Sequence, residues 1–230
     1  MIDSKIKILL LTREGCEQSK KVQNFFNKDI FEIYNIVSKK MGEDLPTETY
    51  SLFPDYIISF RSLFILPFKL LETVKKYSIN FHPGPPSYPG SGSVNLALYN
   101  DDKTFGVTAH LINERIDNGQ IFNTRMFNIE PKDNVESLLL KTHQHLFLLF
   151  QEVAENLFFK SNDYLEEMLK DSSKYSWHKN ANKISLINDL QSIDFDISQE
   201  ELNRRLRAIH TEEYPLYIEI KGNKFSITNN

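Results

Sequence analysis

A short block of aliphatic residues near the start of the chain limits the folds available to it. Residues 5–11 read Lys-Ile-Lys-Ile-Leu-Leu-Leu and are flanked by polar residues. Such a run predicts a β-strand buried on both faces, because strands of this kind are continuously apolar rather than alternating. No apolar run reaches the roughly 20 residues that a membrane-spanning helix needs. We therefore expect a buried sheet and no membrane partner.

Strand and helix patterns then alternate through the first part of the chain. The predicted strands lie at 31–37, 56–60, 78–81, 105–112 and 120–129, and the predicted helices at 17–26 and 135–159. Asp133 and Glu136 are spaced as a capping box for the long helix. Interleaved strands and helices predict an α/β domain with a largely parallel sheet over residues 1–155.

The remaining residues, 156–230, follow a different pattern and are predicted to form an extension. Ser198 and Glu201 have the spacing of a capping box that opens a helix. Two alternating runs joined by a glycine-containing turn predict a β-hairpin over 216–227. The polar residues 175–182 are the expected linker.

Composition narrows the function classes. The single cysteine, Cys16, excludes an intrachain disulfide and a multi-cysteine metal site. A net charge of −4 and a pI near 5.9 oppose a nucleic-acid binder, which usually has a basic face. We expect a cytoplasmic protein that binds no metal and no nucleic acid. His110, in a predicted strand, is expected to be structural.

Side chains suited to catalysis and ligand binding are concentrated at 79–92, which read Ile-Asn-Phe-His-Pro-Gly-Pro-Pro-Ser-Tyr-Pro-Gly-Ser-Gly. Asn80 and His82 are two residues apart at a predicted strand end, so their side chains project to the same face. In open α/β folds, ligands bind at this end of the strands. The prolines and glycines predict a stiff loop that a ligand can approach closely. From spacing alone, a structural histidine and a catalytic one both stay open.

The segment resembles the signature of the folate-dependent formyltransferases, which include glycinamide ribonucleotide, methionyl-tRNA and sugar-nucleotide N-formyltransferases. That family has Asn-x-His-Pro, a proline and Tyr-Pro-Gly, matched here by residues 80–90, and a later Asp-x-Gly-x-Ile, matched by Asp117–Ile121. Residues 59–67 are similar to its pterin-receiving loop. The resemblance spans residues 1 to about 155. It implies a Rossmann-like formyltransferase fold and N10-formyltetrahydrofolate as donor co-substrate.

The resemblance also implies roles for individual residues. The Asn80 amide would donate to the oxyanion of the tetrahedral intermediate. His82 would either accept the amine proton as a general base or donate to the oxyanion in its charged form. Asp117 would orient the imidazole and favour its charged form. Residues expected to contact the pterin are Leu63, Phe64, Ile65, Leu66, Asn113 and Ile116.

Three members of the family differ in the acceptor amine. Glycinamide ribonucleotide formyltransferase has a glycine-rich turn after its first strand, where residues 12–16 contain one glycine. Methionyl-tRNA formyltransferase has a C-terminal barrel and a basic surface, which this acidic chain does not suggest. The sugar-nucleotide branch has the loop length of His82–Gly90. We expect a nucleotide-linked, dTDP-type 4-amino-4,6-dideoxy sugar, formylated for surface polysaccharide (O-antigen, lipopolysaccharide) synthesis.

Expected substrate contacts follow from side-chain chemistry. Arg61 and Arg207 suit a pyrophosphate, because a guanidinium matches phosphate geometry. The other candidates line the sugar pocket or stack on the base, and they are Pro85, Tyr88, Ser91, Trp177, Tyr214 and Tyr217. Each has a structural alternative as a core or solvated side chain.

The C-terminal hairpin bears on the oligomeric state. Since a lone hairpin is marginally stable, the one at 216–227 should pack on the body or on a second copy, giving a homodimer. A folate- or nucleotide-binding module, or a hydrolase that releases formate, is the alternative to a transferase.

Overall fold

The computed structural model describes residues 5–161 and 163–227. Residues 1–4, 162 and 228–230, which the predicted segments 1–155 and 156–230 include, lie outside the described residues. Within the described ranges, no helix has the length and apolar character required to span a bilayer.

Six strands form the central sheet in the order β2-β1-β3-β4-β5-β6. They are β1 (Ile6–Arg13), β2 (Phe31–Ser38), β3 (Tyr56–Phe60), β4 (Tyr77–His82), β5 (Thr104–Leu111) and β6 (Ile121–Asn128). β1 to β4 run parallel, whereas β5 is antiparallel to both of its neighbours. The predicted α/β fold with a largely parallel, Rossmann-like sheet is confirmed.

Seven helices are found among the described residues. They are α1 (Glu17–Phe25), α2 (Phe68–Leu71), α3 (Ser93–Tyr99), α4 (Val135–Glu155), α5 (Tyr164–Lys170), α6 (Ser185–Gln191) and α7 (Gln199–Ala208). A π-helical turn, Asn156–Lys160, continues α4. The predicted long helix therefore ends four residues early as an α-helix, and the patterns had not predicted α2, α3, α5 or α6.

Strand β1 is buried on both faces, as its aliphatic run predicts. Ile8 and Leu10 belong to a core cluster with α1 and α4, whereas Leu9 and Leu11 pack with Leu70 on the opposite face. The four aliphatic side chains of β1 are fully buried. Burial of each such side chain stabilises the fold by roughly 1.5–3 kcal/mol before the loss of conformational entropy is counted.

The cap of α4 differs from the prediction. Asn134, rather than Asp133, is the N-cap, and its side chain accepts from the Ser137 amide at 2.9 Å while the Ser137 hydroxyl accepts from the Asn134 amide at 3.0 Å. Asp133 instead pairs with Lys141 at 2.6 Å. The capping pair predicted as Asp133 and Glu136 was thus wrong by one residue, because several short polar residues at this helix start can cap it.

The extension packs on the body. Ser198 caps α7 by accepting from the Glu201 amide, as predicted. The hairpin is formed by β7 (Tyr217–Ile220) and β8 (Asn223–Ser226). A second core cluster joins α3 of the body to α6, α7 and the start of the hairpin; its members include Val94, Leu98, Ile187, Ile209 and Leu216.

Residues 175–182 do not behave as a free linker. Asn182 forms a β-bridge with Gly90, and its carbonyl accepts from the Ser91 amide at 2.9 Å. The segment connects α5 to α6 and is anchored by backbone hydrogen bonds, which its polar side chains do not reveal.

Candidate active site

Three polar side chains converge at the carboxyl end of β4. Asn80 and His82 project from one face of the strand, and Asp117 lies on the loop between β5 and β6. His82 Nδ1 is 3.1 Å from Asp117 Oδ2, and Asn80 Nδ2 is 3.5 Å from Asp117 Oδ1. The structure thus brings together the three residues that the resemblance implied to be catalytic.

The backbone conformation of the loop that carries Asp117 is tightly restricted. Asp117 has a positive φ of 42°, and its Oδ2 accepts from the Gly90 amide at 2.8 Å. At Gly119, a Cβ atom would lie 1.6 Å from the Leu111 carbonyl oxygen. Only glycine allows this approach of two backbones, which gives the glycine of the Asp-x-Gly motif its physical reason.

His82 is almost fully buried, with two hydrogen-bond acceptors beside its ring. Besides the Asp117 carboxylate, the Tyr88 carbonyl oxygen lies 3.1 Å from Nε2. Burial lowers the pKa of His82, as does His110, and these effects outweigh the carboxylate and the carbonyl, which raise it. The resting ring is therefore neutral at pH 7, with two acceptors in place for a second proton.

The Asp117 carboxylate stays ionised although it too is buried. Burial opposes ionisation, but the imidazoles of His82 and His110 and the amide of Gly90 outweigh it and lower the pKa of Asp117. A neutral imidazole and an ionised carboxylate in contact can hold a proton taken from a reactant.

His110 belongs to the site, which sequence reasoning missed. It lies opposite Asn80 in the β4–β5 register. Its Nδ1 is 2.7 Å from the Leu111 carbonyl, so the Nδ1 proton is donated there and Nε2 accepts from Asn80 Nδ2 at 3.0 Å. His110 thereby fixes which way the Asn80 amide faces. The pairing of β4 with β5 brings His110 next to Asn80, and the local sequence pattern around a single histidine does not show that pairing.

A cavity of about 600 Å³ opens over these residues, within the size range of small-molecule sites. All six residues predicted to contact the pterin line it: Leu63, Phe64, Ile65, Leu66, Asn113 and Ile116. Ile65 is 59% exposed and Ile116 is 54% exposed. Apolar side chains left open to a cavity form a suitable surface for a flat apolar ligand.

The candidate substrate residues divide into two groups. Arg61 and Ser91 line the cavity, whereas the other six are not among its lining residues. Tyr88 donates its hydroxyl proton to Asp102 at 2.7 Å. Arg207 binds Asp101 at 3.0 Å and the Asp133 carbonyl at 2.9 Å. The remaining residues outside the lining are Pro85, Trp177, Tyr214 and Tyr217.

One wall of the cavity is cationic, and part of it was missed from the sequence. Arg13 and His143 line this wall with Arg61. Arg61 Nη1 donates to Cys16 Sγ at 2.9 Å. Burial, with Arg61 and Arg13 nearby, lowers the pKa of His143 to about 3, so His143 is neutral beside two cations. The wall suits an anionic group.

Among residues 5–161 and 163–227, no group of three or more histidine, cysteine, aspartate or glutamate side chains is arranged to hold a metal ion. A carboxamide, an imidazole and a carboxylate beside one cavity can support acid–base chemistry and oxyanion stabilisation.

Sequence comparison places this site in a known group of proteins. The family model described as "Formyl transferase" matches residues 8–152. The bifunctional polymyxin resistance protein ArnA of Wigglesworthia glossinidia brevipalpis is 32% identical over 164 residues, which are 70% of this chain and 24% of that protein. The GDP-perosamine N-formyltransferase of Brucella melitensis is 32% identical over 105 residues, 45% of this chain and 40% of that protein. Methionyl-tRNA formyltransferases also match, one at 24% identity over 191 residues and 58% of its length. The chain thus spans between 24% and 58% of the length of these curated relatives.

Structure comparison agrees on the fold. The solved structure of a sugar N-formyltransferase from a Shewanella species superimposes with a TM-score of 0.76 and 19% sequence identity. The superposition covers 96% of this chain and 96% of that one. At this identity the likeness concerns the fold, and it extends through the C-terminal extension.

Proposed function

The chain belongs to the formyl transferase family, and from this premise we propose that it transfers a formyl group from N10-formyltetrahydrofolate to the amine of a nucleotide-linked sugar. The observation that carries the proposal is the convergence of Asn80, His82 and Asp117 beside one cavity. Transfer of this kind needs an oxyanion donor and a route for the amine proton, and these side chains offer both.

Asn80 is proposed to stabilise the oxyanion. Its Nδ2 carries two protons, one of which is held by His110 Nε2 at 3.0 Å. The second is only weakly engaged, since Asp117 Oδ1 is 3.5 Å away. This N–H is therefore free to bind an oxygen that gains charge in the tetrahedral intermediate.

His82 is proposed to act as the general base. Its ring is neutral at rest, which a base requires. When it takes the amine proton, the Asp117 carboxylate and the Tyr88 carbonyl, each 3.1 Å from a ring nitrogen, stabilise the imidazolium. The proton can then pass to the departing folate nitrogen. This assignment chooses between the two roles that the sequence left open.

The two walls of the cavity fit the two proposed reactants. The pterin would lie against the apolar part of the lining, which is formed by residues 63–66 with Ile112 and Ile116. The diphosphate of a sugar nucleotide would face Arg61 and Arg13 on the cationic wall. The family relation to a GDP-perosamine N-formyltransferase supports a sugar amine. The dTDP carrier and a role in surface polysaccharide synthesis rest on the resemblance of the sequence to the sugar-nucleotide branch.

A panel assay tests the proposed function. Purified protein is mixed with N10-formyltetrahydrofolate and dTDP-, GDP- or UDP-linked amino sugars, and tetrahydrofolate release is followed. We expect release with at least one amino sugar and none with the matched sugar nucleotide that has a hydroxyl in place of the amine. Formate release without any amine would instead indicate a hydrolase. Transfer only to glycinamide ribonucleotide or methionyl-tRNA would contradict the sugar assignment.

We further propose that the protein forms a homodimer through its hairpin. Leu216 at the start of the hairpin is buried on the body, whereas β8 is exposed along its length and Phe225 is 56% exposed. Exposed apolar side chains on the hairpin, here Ile220 and Phe225, suit contact with a second copy. Light scattering should give the mass of two chains for the wild type and of one chain for Phe225→Glu. A monomeric wild type at working concentration would contradict the dimer.

A further inference from the structure

Residues 175–182, which lie outside the residues matched by the family model, pack behind the catalytic side chains. Residues 175–182 run beside the proline-rich loop that follows β4. The His178 amide donates to the Pro86 carbonyl at 2.9 Å, and the Asn182 amide donates to the Pro89 carbonyl at 2.7 Å. These bonds hold the segment in a fixed register against the catalytic loop, although the family model ends at residue 152.

Trp177 is the residue of this segment that meets the catalytic groups. Its indole Nε1 donates to the Gly119 carbonyl at 2.7 Å. Its ring packs at a steep angle against both imidazoles, with centroid distances of 5.7 Å to His82 and 5.0 Å to His110. One side chain therefore touches the Asp117 loop and both histidines at once.

We propose that Trp177 is a positioning residue for formyl transfer, which holds the Asp117 loop against His82 and keeps water away from the imidazole pair. The inference rests on the proposed function for its kinetic consequences. It replaces the expectation that Trp177 stacks on a nucleotide base, because the indole N–H is already bonded and the ring does not line the cavity.

The surroundings of His82 show how loss of the Trp177 side chain would change its pKa. The ionisable groups facing its ring are Asp117 and His110, and the Tyr88 carbonyl is its other polar neighbour. Burial is the largest influence on the pKa of His82 and keeps it below the ordinary value. Loss of the indole would admit water and move that pKa upward. It would also free the Gly119 carbonyl and loosen the loop that aims Asp117.

Kinetics with matched variants provides the first part of the test. Trp177→Leu should lower kcat about 10- to 100-fold, because small displacements of catalytic groups are costly, while KM for the folate donor stays within about threefold. The ionisation that controls kcat/KM should move to higher pH. Trp177→Phe, which keeps a ring but loses the indole N–H, should have a smaller loss and a smaller pH shift. The control is His178→Ala, since the His178 side chain is exposed and its backbone bond is retained; it should match the wild type.

NMR gives a readout that does not depend on turnover. Trp177 is the only tryptophan of the chain, so one indole N–H resonance reports on it. That proton should exchange slowly with solvent, and the ¹⁵N titration of His82 should give a higher pKa in Trp177→Phe or Trp177→Leu than in the wild type. If the Leu variant does not fold, the Phe variant is used for both measurements.

The possible outcomes separate the two proposals. An unprotected indole proton, an unchanged His82 titration, or a folded Trp177→Leu variant with wild-type kcat would overturn the positioning role. A wild type that formylates no sugar amine, yet shows the protected indole and the shifted titration, would overturn the proposed substrate and leave the structural role of Trp177 supported.

Discussion

Two regions meet at the same site but are held there in different ways. The end of β4, with Asn80 and His82, lies between β3 and β5 in the central sheet, and Phe81 of β4 is buried in its core. Residues 175–182 reach the site through backbone hydrogen bonds to one loop and through a single indole. The first region is placed by the hydrophobic core, and the second by a few directional contacts. Substitutions of Asn80 or His82 should therefore nearly abolish formyl transfer, whereas substitutions in residues 175–182 should lower its rate by a smaller factor.

The largest effect is expected at the strand end. His82→Ala should reduce kcat/KM about 10²- to 10⁴-fold, the usual contribution of a general base. The fold should persist, because β4 keeps its backbone pairing and Phe81 stays in the core. Tetrahydrofolate release and circular dichroism measure the two properties. A loss no greater than that of Trp177→Leu would remove the contrast between the two regions.

A pair of glycines compares the Asp117 loop, against which Trp177 packs, with the C-terminal hairpin. Gly119→Ala should destabilise the protein by about 3 kcal/mol or more, because its Cβ would overlap the Leu111 carbonyl. Gly222→Ala, in the hairpin, has a positive φ but no atom within 4 Å of the new Cβ, and should cost only about 1 kcal/mol of backbone strain. Thermal unfolding should show the larger shift for Gly119. Equal shifts would mean that the Asp117 loop can relax as the hairpin does.

Two arginines distinguish the cavity from the extension. Arg61→Ala should raise KM for the sugar nucleotide about tenfold, because one charge-assisted contact to phosphate is lost. Arg207→Ala should leave KM near the wild-type value, since its guanidinium is bound to Asp101 and to backbone carbonyls. Initial rates over a range of sugar-nucleotide concentrations measure both. A raised KM in the Arg207 variant alone would assign the diphosphate to the extension instead.

The smallest expected effect is that of mild acid. The folded-state pKa of His82 lies below its ordinary value, so the base stays neutral as the pH falls from 7 toward that ordinary value of about 6.5. kcat/KM should change less than about twofold over this interval and decline only at lower pH. A decline that begins above pH 7 in the wild type would contradict the neutral resting imidazole.

The strands of the sheet, and the shared face of Asn80 and His82, could be predicted from local patterns. The aliphatic run of β1 predicted a doubly buried strand, and the Asn-x-His spacing placed two side chains on one face. Both depend on the residue's immediate neighbours along the chain. The partners of those side chains could not be predicted in this way. His110 reaches Asn80 through antiparallel pairing, and Arg13 reaches the cavity from a strand distant in sequence.

The sequence by itself determined the strands of the sheet and the shared face of Asn80 and His82, because periodicity is a local property, and the resemblance of its motifs to a family implied the roles of these residues and of Asp117. Only the tertiary structure decided that His110 orients Asn80, that Arg207 is bound outside the cavity, and that Trp177 packs against both imidazoles. These depend on backbone hydrogen bonds and packing between segments far apart in sequence. Because the partners in these contacts are separated by many residues along the chain, neither periodicity nor side-chain composition identifies them.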